Sequence, residues 1–172
     1  MNTDPRQPDP RQKGFSLIEL MVGLAIMSAL LMIVMPSIKV YLLDSRMRAA
    51  AQAYYDGIQL ARTEALRRNT NVTISLTDGG KGWKVSAGNE EISVKPPESS
   101  SRLSIEADKD SVVFNSLGTA SVDNTVHFLP GDNGQCVADG GKQRCLNVRV
   151  SIGGQARVCD PSITEAGDNR KC

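Results

Sequence analysis

The chain is 172 residues long and carries 20 Lys and Arg against 19 Asp and Glu, a formal net charge of +1. That length suits one folded domain plus an anchor, and so even a balance gives no global drive towards nucleic acid or anionic lipid. A single histidine, dispersed carboxylates and the lack of a post-strand nucleotide-binding glycine pattern, an H-E-x-x-H or a G-x-S-x-G leave no catalytic set, so an enzyme is not expected and no cofactor is required.

The first 14 residues form a polar leader with five charged residues and three prolines. The chain then turns apolar: from Phe15 to Met35 the one formal charge is Glu19, and proline is absent until Pro36. As a helix this run is roughly 30 Å long, about the thickness of a bilayer's hydrocarbon core. It predicts a membrane-spanning first half of a long helix, over residues 15–36. A secretory signal peptide carries a small-residue cleavage site after its apolar region. Here the run ends in Met35-Pro36-Ser37-Ile38-Lys39, and the plausible cut lies before it, between Gly14 and Phe15. Such a cut leaves the apolar helix on the mature chain and brings its net charge close to zero.

Lys13-Gly14-Phe15-Ser16-Leu17-Ile18-Glu19-Leu20 resembles the class III signal of type IV pilins and pseudopilins. The resemblance implies cleavage after Gly14 by a prepilin peptidase, N-methylation of Phe15, and a subunit-registration role for Glu19. The physics of Glu19 points the same way. A carboxylate inside a membrane span costs on the order of 2.5–3.5 kcal/mol at the centre and less near an end, and such groups usually have a partner and a task. The free amine of Phe15 in a neighbouring subunit is the partner that the family implies.

Pro36 is expected to bend the helix without ending it, and pilins resemble this chain in having a proline there. Beyond it, Met47, Ala50, Tyr54, Ile58, Ala61 and Ala65 recur at three- and four-residue steps and predict an amphipathic second half, ending near Asn69. Residues 70–172 read as a β-rich head. Val72–Leu76, Trp83–Ser86, the Ile92 and Val94 alternation up to Pro96-Pro97, Leu103–Ile105, Val112–Phe114, Val126–Phe128 and Leu146–Ile152 are the predicted strands, with Asp78–Gly82 as a turn. Trp83 is expected in the core and His127 on an outward strand position. The sum is an α+β fold, one long helix packed on an antiparallel sheet. Through the resemblance it is a type IV pilin-like fold with disulfide-bonded C-terminal loops.

Four cysteines, Cys136, Cys145, Cys159 and Cys172, fall in the last quarter. An even set beyond a membrane anchor reads as disulfides in an oxidising compartment. Three connectivities are possible, of which nearest-neighbour pairing, Cys136 with Cys145 and Cys159 with Cys172, is preferred. A metal site is not expected, because no C-x-x-C pair exists and His127 is the sole imidazole.

The layout of long helix, β-rich head and a glycine–arginine tail over residues 153–172 resembles the FimT/GspH group of minor pilins and pseudopilins. Some FimT-type members carry G-R-x-R here and bind DNA. This chain has Gly154-Gln155-Ala156-Arg157, so one cation is missing. Arg149, Arg157, Arg170 and Lys171 remain as candidate DNA contacts, with Asp160, Glu165 and Asp168 nearby to cancel much of their field. The resemblance therefore implies a minor pilin-like subunit that starts or caps a type IV pilus. The H-type pseudopilin of a type II secretion system and a DNA-uptake pilin are the alternatives, and the cysteine-paired tail and the GQAR run lean towards the FimT side. The implied partners are prepilin peptidase, other pilins or pseudopilins, inner-membrane lipid and, more weakly, DNA. The implied location is the inner membrane, single-pass with the head in the periplasm, and then a pilus or pseudopilus.

Overall fold

The computed structural model of the chain describes residues 14–95, 103–131 and 134–172, and it divides into two units, residues 1–38 and 39–172. Apart from Gly14, the leader lies outside the described residues, as do Pro96 and Pro97.

Helix α1 spans Leu17–Arg68. It opens where the Leu20 N–H donates to the Ser16 carbonyl at 3.1 Å. Within the first unit, every residue from Phe15 to Met32 is exposed. Phe15 is 84% exposed and Leu17 77%, with Met32 at 78%. Among the described residues, no single helix is long and apolar enough to cross a membrane; Leu17–Met32 and Ser37–Arg68 together meet the requirement in length and composition alone. Pro36 falls within the helical span, but its side chain is outside the described set, and so is the bend expected there.

In the second unit the helix is one-sided. Met47, Ala50, Tyr54, Ile58, Ala61 and Ala65 are all buried, as their spacing demands. The helix ends in a left-handed cap. Asn69 adopts φ 51°, and the Thr70 N–H reaches back to the Ala65 carbonyl at 3.3 Å. This is the six-to-one bond that satisfies an otherwise orphaned terminal carbonyl.

Among the described residues, eight strands follow: β1 Val72–Thr77, β2 Gly82–Ala87, β3 Glu90–Lys95, β4 Leu103–Ala107, β5 Ser111–Phe114, β6 Asn124–Pro130, β7 Leu146–Val150 and β8 Ala156–Cys159. They form two antiparallel four-stranded sheets, ordered β3-β2-β1-β5 and β4-β6-β7-β8. The expectation of one sheet is corrected to two. The division arises at β4 and β5, which are neighbours in sequence but pair with β6 and β1 respectively. Both sheets and the helix contribute to one core, in which Tyr54 and Ile58 meet Trp83 and Phe114 from the first sheet and Phe128 and Val148 from the second.

Two further differences concern the C-terminal quarter. The strand expected over Leu146–Ile152 stops at Val150, because the Ser151 N–H turns to the Gln155 carbonyl at 2.9 Å and closes a hairpin. Ile152 is left 56% exposed, and Asn147, which alternates with the apolar residues of the strand, is buried and hydrogen-bonded to His127 at 3.1 Å. The hairpin's return strand, β8, falls inside what the sequence presents as a tail.

Candidate functional site

Two regions carry residues singled out by the sequence, and each lies within one unit. The first is the start of the helix. Gly14 is exposed and precedes the helical residues, so the backbone on either side of the expected cut is free of secondary structure. Glu19 sits in the first helical turn, exposed among apolar neighbours. Unpaired N–H groups and the positive end of the helix dipole favour a carboxylate at that position. The surroundings of Glu19 are otherwise the exposed side chains of Leu17, Ile18, Leu20 and Met21.

The second region is the end of the β4-β6-β7-β8 sheet and the loops that follow it. Disulfides join Cys136 to Cys145 and Cys159 to Cys172, with Cα–Cα separations of 5.5 and 5.0 Å. Each closes a short loop against the sheet. The first contains a turn of 3-10 helix at Val137–Asp139, and the second is pinned where the Asp160 N–H donates to the Arg170 carbonyl at 2.7 Å.

The four candidate cations do not form one cluster. Arg149 and Arg157 are directly opposite each other on β7 and β8. Like charges in that register repel, and here both guanidinium groups donate to the Cys172 main-chain oxygen, at 2.8 and 3.2 Å. They line a surface groove of about 610 Å³ that also carries Asp108 and Asp123. Arg170 is engaged elsewhere, in a two-pronged contact with Asp168 at 2.7 and 3.1 Å. Those side-chain bonds, with a further one from the Arg170 backbone N–H, hold the Asp168 carboxyl at about 2, below its ordinary 3.8. Lys171 donates its ammonium to the Thr164 carbonyl at 3.1 Å.

A polar tie that the sequence does not advertise joins the two disulfide loops to the helix. Arg144, beside Cys145, pairs with the buried Asp160 carboxylate at 3.1 Å, and its own N–H donates to Asp44 of α1 at 3.0 Å. Asp160 also accepts from the Ser162 N–H at 2.9 Å. Its position next to a cysteine was the available signal, but nothing in the spacing names Arg144 or Asp44 as its company. Among the described residues, no group of three or more His, Cys, Asp or Glu is placed to hold a metal ion.

Residues 50–154 match the family described as type II transport protein GspH, and residues 9–35 match the prokaryotic N-terminal methylation motif. No curated protein matches the sequence. Among solved structures, the type IV minor pilin FimU of Pseudomonas aeruginosa is similar with a TM-score of 0.57 at 16% identity, covering 71% of this chain and 94% of that one. A second crystal form of FimU gives 0.52 at 17% identity, with coverages of 69% and 97%. The minor pseudopilin EpsH from the type 2 secretion system of Vibrio cholerae gives 0.50 at 12% identity, covering 67% of this chain and 98% of that one. At such identities the likeness is one of fold.

Proposed function

This chain belongs to the type II transport protein GspH family, and from that premise we propose that it is a minor, pilin-like structural subunit that helps start or cap a filament of the type IV pilus or type II secretion kind. The observation that carries the reading is the apolar surface from Phe15 along the helix to Met32, exposed throughout and interrupted by the single carboxylate of Glu19. Apolar surface is worth roughly 25 cal/mol per Å² when removed from water, so a rod of this kind requires cover. Lipid provides it before assembly, and the rods of neighbouring subunits provide it afterwards. In either medium Glu19 needs a cationic partner, and the N-methylated amine of Phe15 in an adjacent pilin or pseudopilin supplies one.

The remaining elements fit this reading. The methylation motif at residues 9–35 supports processing by a prepilin peptidase after Gly14. Two disulfides suit an oxidising compartment, consistent with a head in the periplasm on an inner-membrane anchor. FimU is a minor pilin and EpsH a minor pseudopilin, which favours a low-abundance role over a bulk one. DNA contact is not part of the proposal, because Arg149 and Arg157 share the Cys172 oxygen, Arg170 is held by Asp168, and Lys171 is held by Thr164.

The test is Glu19→Ala beside Gly14→Val in the full chain. Gly14→Val keeps the leader, read as an intact Met1 by mass spectrometry. Glu19→Ala is cut and inserted like the parent but enters sheared filaments at a tenth of the parent level or less. Filament incorporation of Glu19→Ala at the parent level would sink the assembly reading.

A further inference from the structure

A groove of about 380 Å³ lies within the second unit, between the helix segment that begins at Lys39 and the loops around Pro130 and Gln143. Lys39, Leu42, Leu43 and Arg46 line its helical wall, at steps of three, four and seven residues along one face. Leu42 is half exposed, and Leu43 is partly covered. Both cations are exposed and have no hydrogen-bonding or ionic partner among the described residues. The acid between them on the helix, Asp44, is engaged by the Arg144 N–H. Among the described residues, the groove thus offers two exposed cations with no ionic partner, interleaved with two leucines.

We propose that this groove holds the headgroup and upper acyl methylenes of an anionic phospholipid. The phosphodiester would sit between Lys39 and Arg46, and the first acyl carbons would lie on Leu42 and Leu43. This rests on the membrane-anchored reading above. Charge complementarity selects an anion, and the leucines between the cations select an amphiphile over a free phosphate. Depth selects a lipid. Lys39 is the first charged residue after Glu19, so it follows directly on the apolar stretch and belongs at headgroup level when that stretch lies in a bilayer. Tyr41, 73% exposed, is of the residue type enriched at that interface. Basic side chains at a membrane surface each raise attraction to anionic lipid about fivefold, an effect that salt screens.

The experiment uses the full chain reconstituted into phosphatidylcholine vesicles with trace spin-labelled phosphatidylglycerol or spin-labelled phosphatidylcholine. The fraction of motionally restricted label gives the relative association. The parent chain is expected to prefer phosphatidylglycerol about twentyfold at low salt, with the preference shrinking at 1 M salt. It should fall to near parity in Lys39→Gln/Arg46→Gln. Equal association of both lipids with the parent, or a preference undiminished in the double variant, overturns the inference. So does displacement of the labelled lipid by millimolar glycerol 3-phosphate, which would mark a phosphate site that ignores the acyl chain. A chain stripped from every vesicle by alkaline carbonate overturns the anchoring itself, and this inference with it. A chain that stays inserted without lipid preference overturns this inference alone.

Discussion

Gly154 shows how a residue prominent in a motif can owe its place to packing. It adopts φ +76°, and a Cβ there would collide with the backbone carbonyl of Gly118. Gly118 is itself held by Arg62, whose Nε donates to the same carbonyl at 3.1 Å. The turn between β7 and β8 is therefore seated directly on the β5–β6 loop, and only glycine fits between them. A left-handed backbone costs a side-chain-bearing residue about 1–2 kcal/mol, and forcing atoms into a filled space costs about 1–3 kcal/mol. Gly154→Ala is expected to destabilise the head by about 2–5 kcal/mol. Gly140 has φ +85° with open space around it, so Gly140→Ala is expected to cost only the backbone part, about 1–2 kcal/mol. Urea unfolding of the two variants side by side measures the difference. Equal losses would show that the contact with Gly118 carries no energy. In the sequence, Gly154-Gln155-Ala156-Arg157 is legible as a resemblance to a nucleic-acid motif. The contact with Gly118 is not, because the two residues lie 36 positions apart and nothing local couples them.

At the scale of elements, the second half of α1 is the most legible part of the chain, because a helix writes its buried face into a local repeat. Strands β1, β2 and β6 are legible for a similar reason, their apolar residues alternating over four or more positions, whereas β5 is legible as a short run of β-branched and aromatic residues, Val112–Phe114. Strand β7 is read too long because Ile152 continues its alternation, although the hairpin has by then begun. Strand β8 is missed because Ala156–Cys159 holds four residues with a charge in the middle, behind a Gly-Gly pair that ordinarily signals a loop. The division into two sheets depends on which distant strands pair, and local pattern does not carry that. The C-terminal turn of the helix yields a prediction in acid. Glu64 accepts from Arg67 at 2.6 and 3.0 Å and from Arg68 at 2.7 Å, while Arg68 reaches on to Glu90 at the start of β3, at 2.6 Å. The Arg67 and then the Arg68 hydrogen bonds hold the Glu64 carboxyl at about 2, down from 4.5. A carboxyl with a lower pKa in the folded state adds stability that is complete above its unfolded value. That stability is lost as pH falls through the folded value. Glu64→Gln should therefore melt slightly below the parent from pH 5.5 to 7.5, a small difference for an ion pair at the solvent boundary, and the gap should close between pH 4.5 and 2. Thermal melts across that range check it; a gap that stays constant down to pH 2 would place the effect in something other than the Glu64 charge.

For the head as a whole, the question is whether two sheets with separate hydrogen-bond ladders unfold as one body. Tyr54 argues that they do. Its ring stands edge-on to Trp83 of β2 at 5.4 Å between centroids and tilted against Phe128 of β6 at 6.1 Å, so one helical side chain touches both sheets. Burial is nearly complete and pushes its hydroxyl pKa well above the usual value. A backbone bond joins the two sides as well: Ala120, which bridges Phe114 of β5, donates its N–H to the Ile152 carbonyl in the β7–β8 turn at 2.9 Å. The disulfides, by contrast, constrain the neighbourhood of the second sheet alone and cannot couple it to the first. The chain provides one native reporter for each sheet, because its sole tryptophan is Trp83 in the first and its sole histidine is His127 in the second. Tryptophan fluorescence and the His127 ring resonances are expected to give the same unfolding midpoint in denaturant, the signature of a single cooperative unit. Tyr54→Ala removes the shared contact at a cost of about 3–5 kcal/mol and should move both midpoints down together. If the two midpoints separate in the parent, or if Tyr54→Ala lowers only one, each sheet carries its own core and the helix serves them independently.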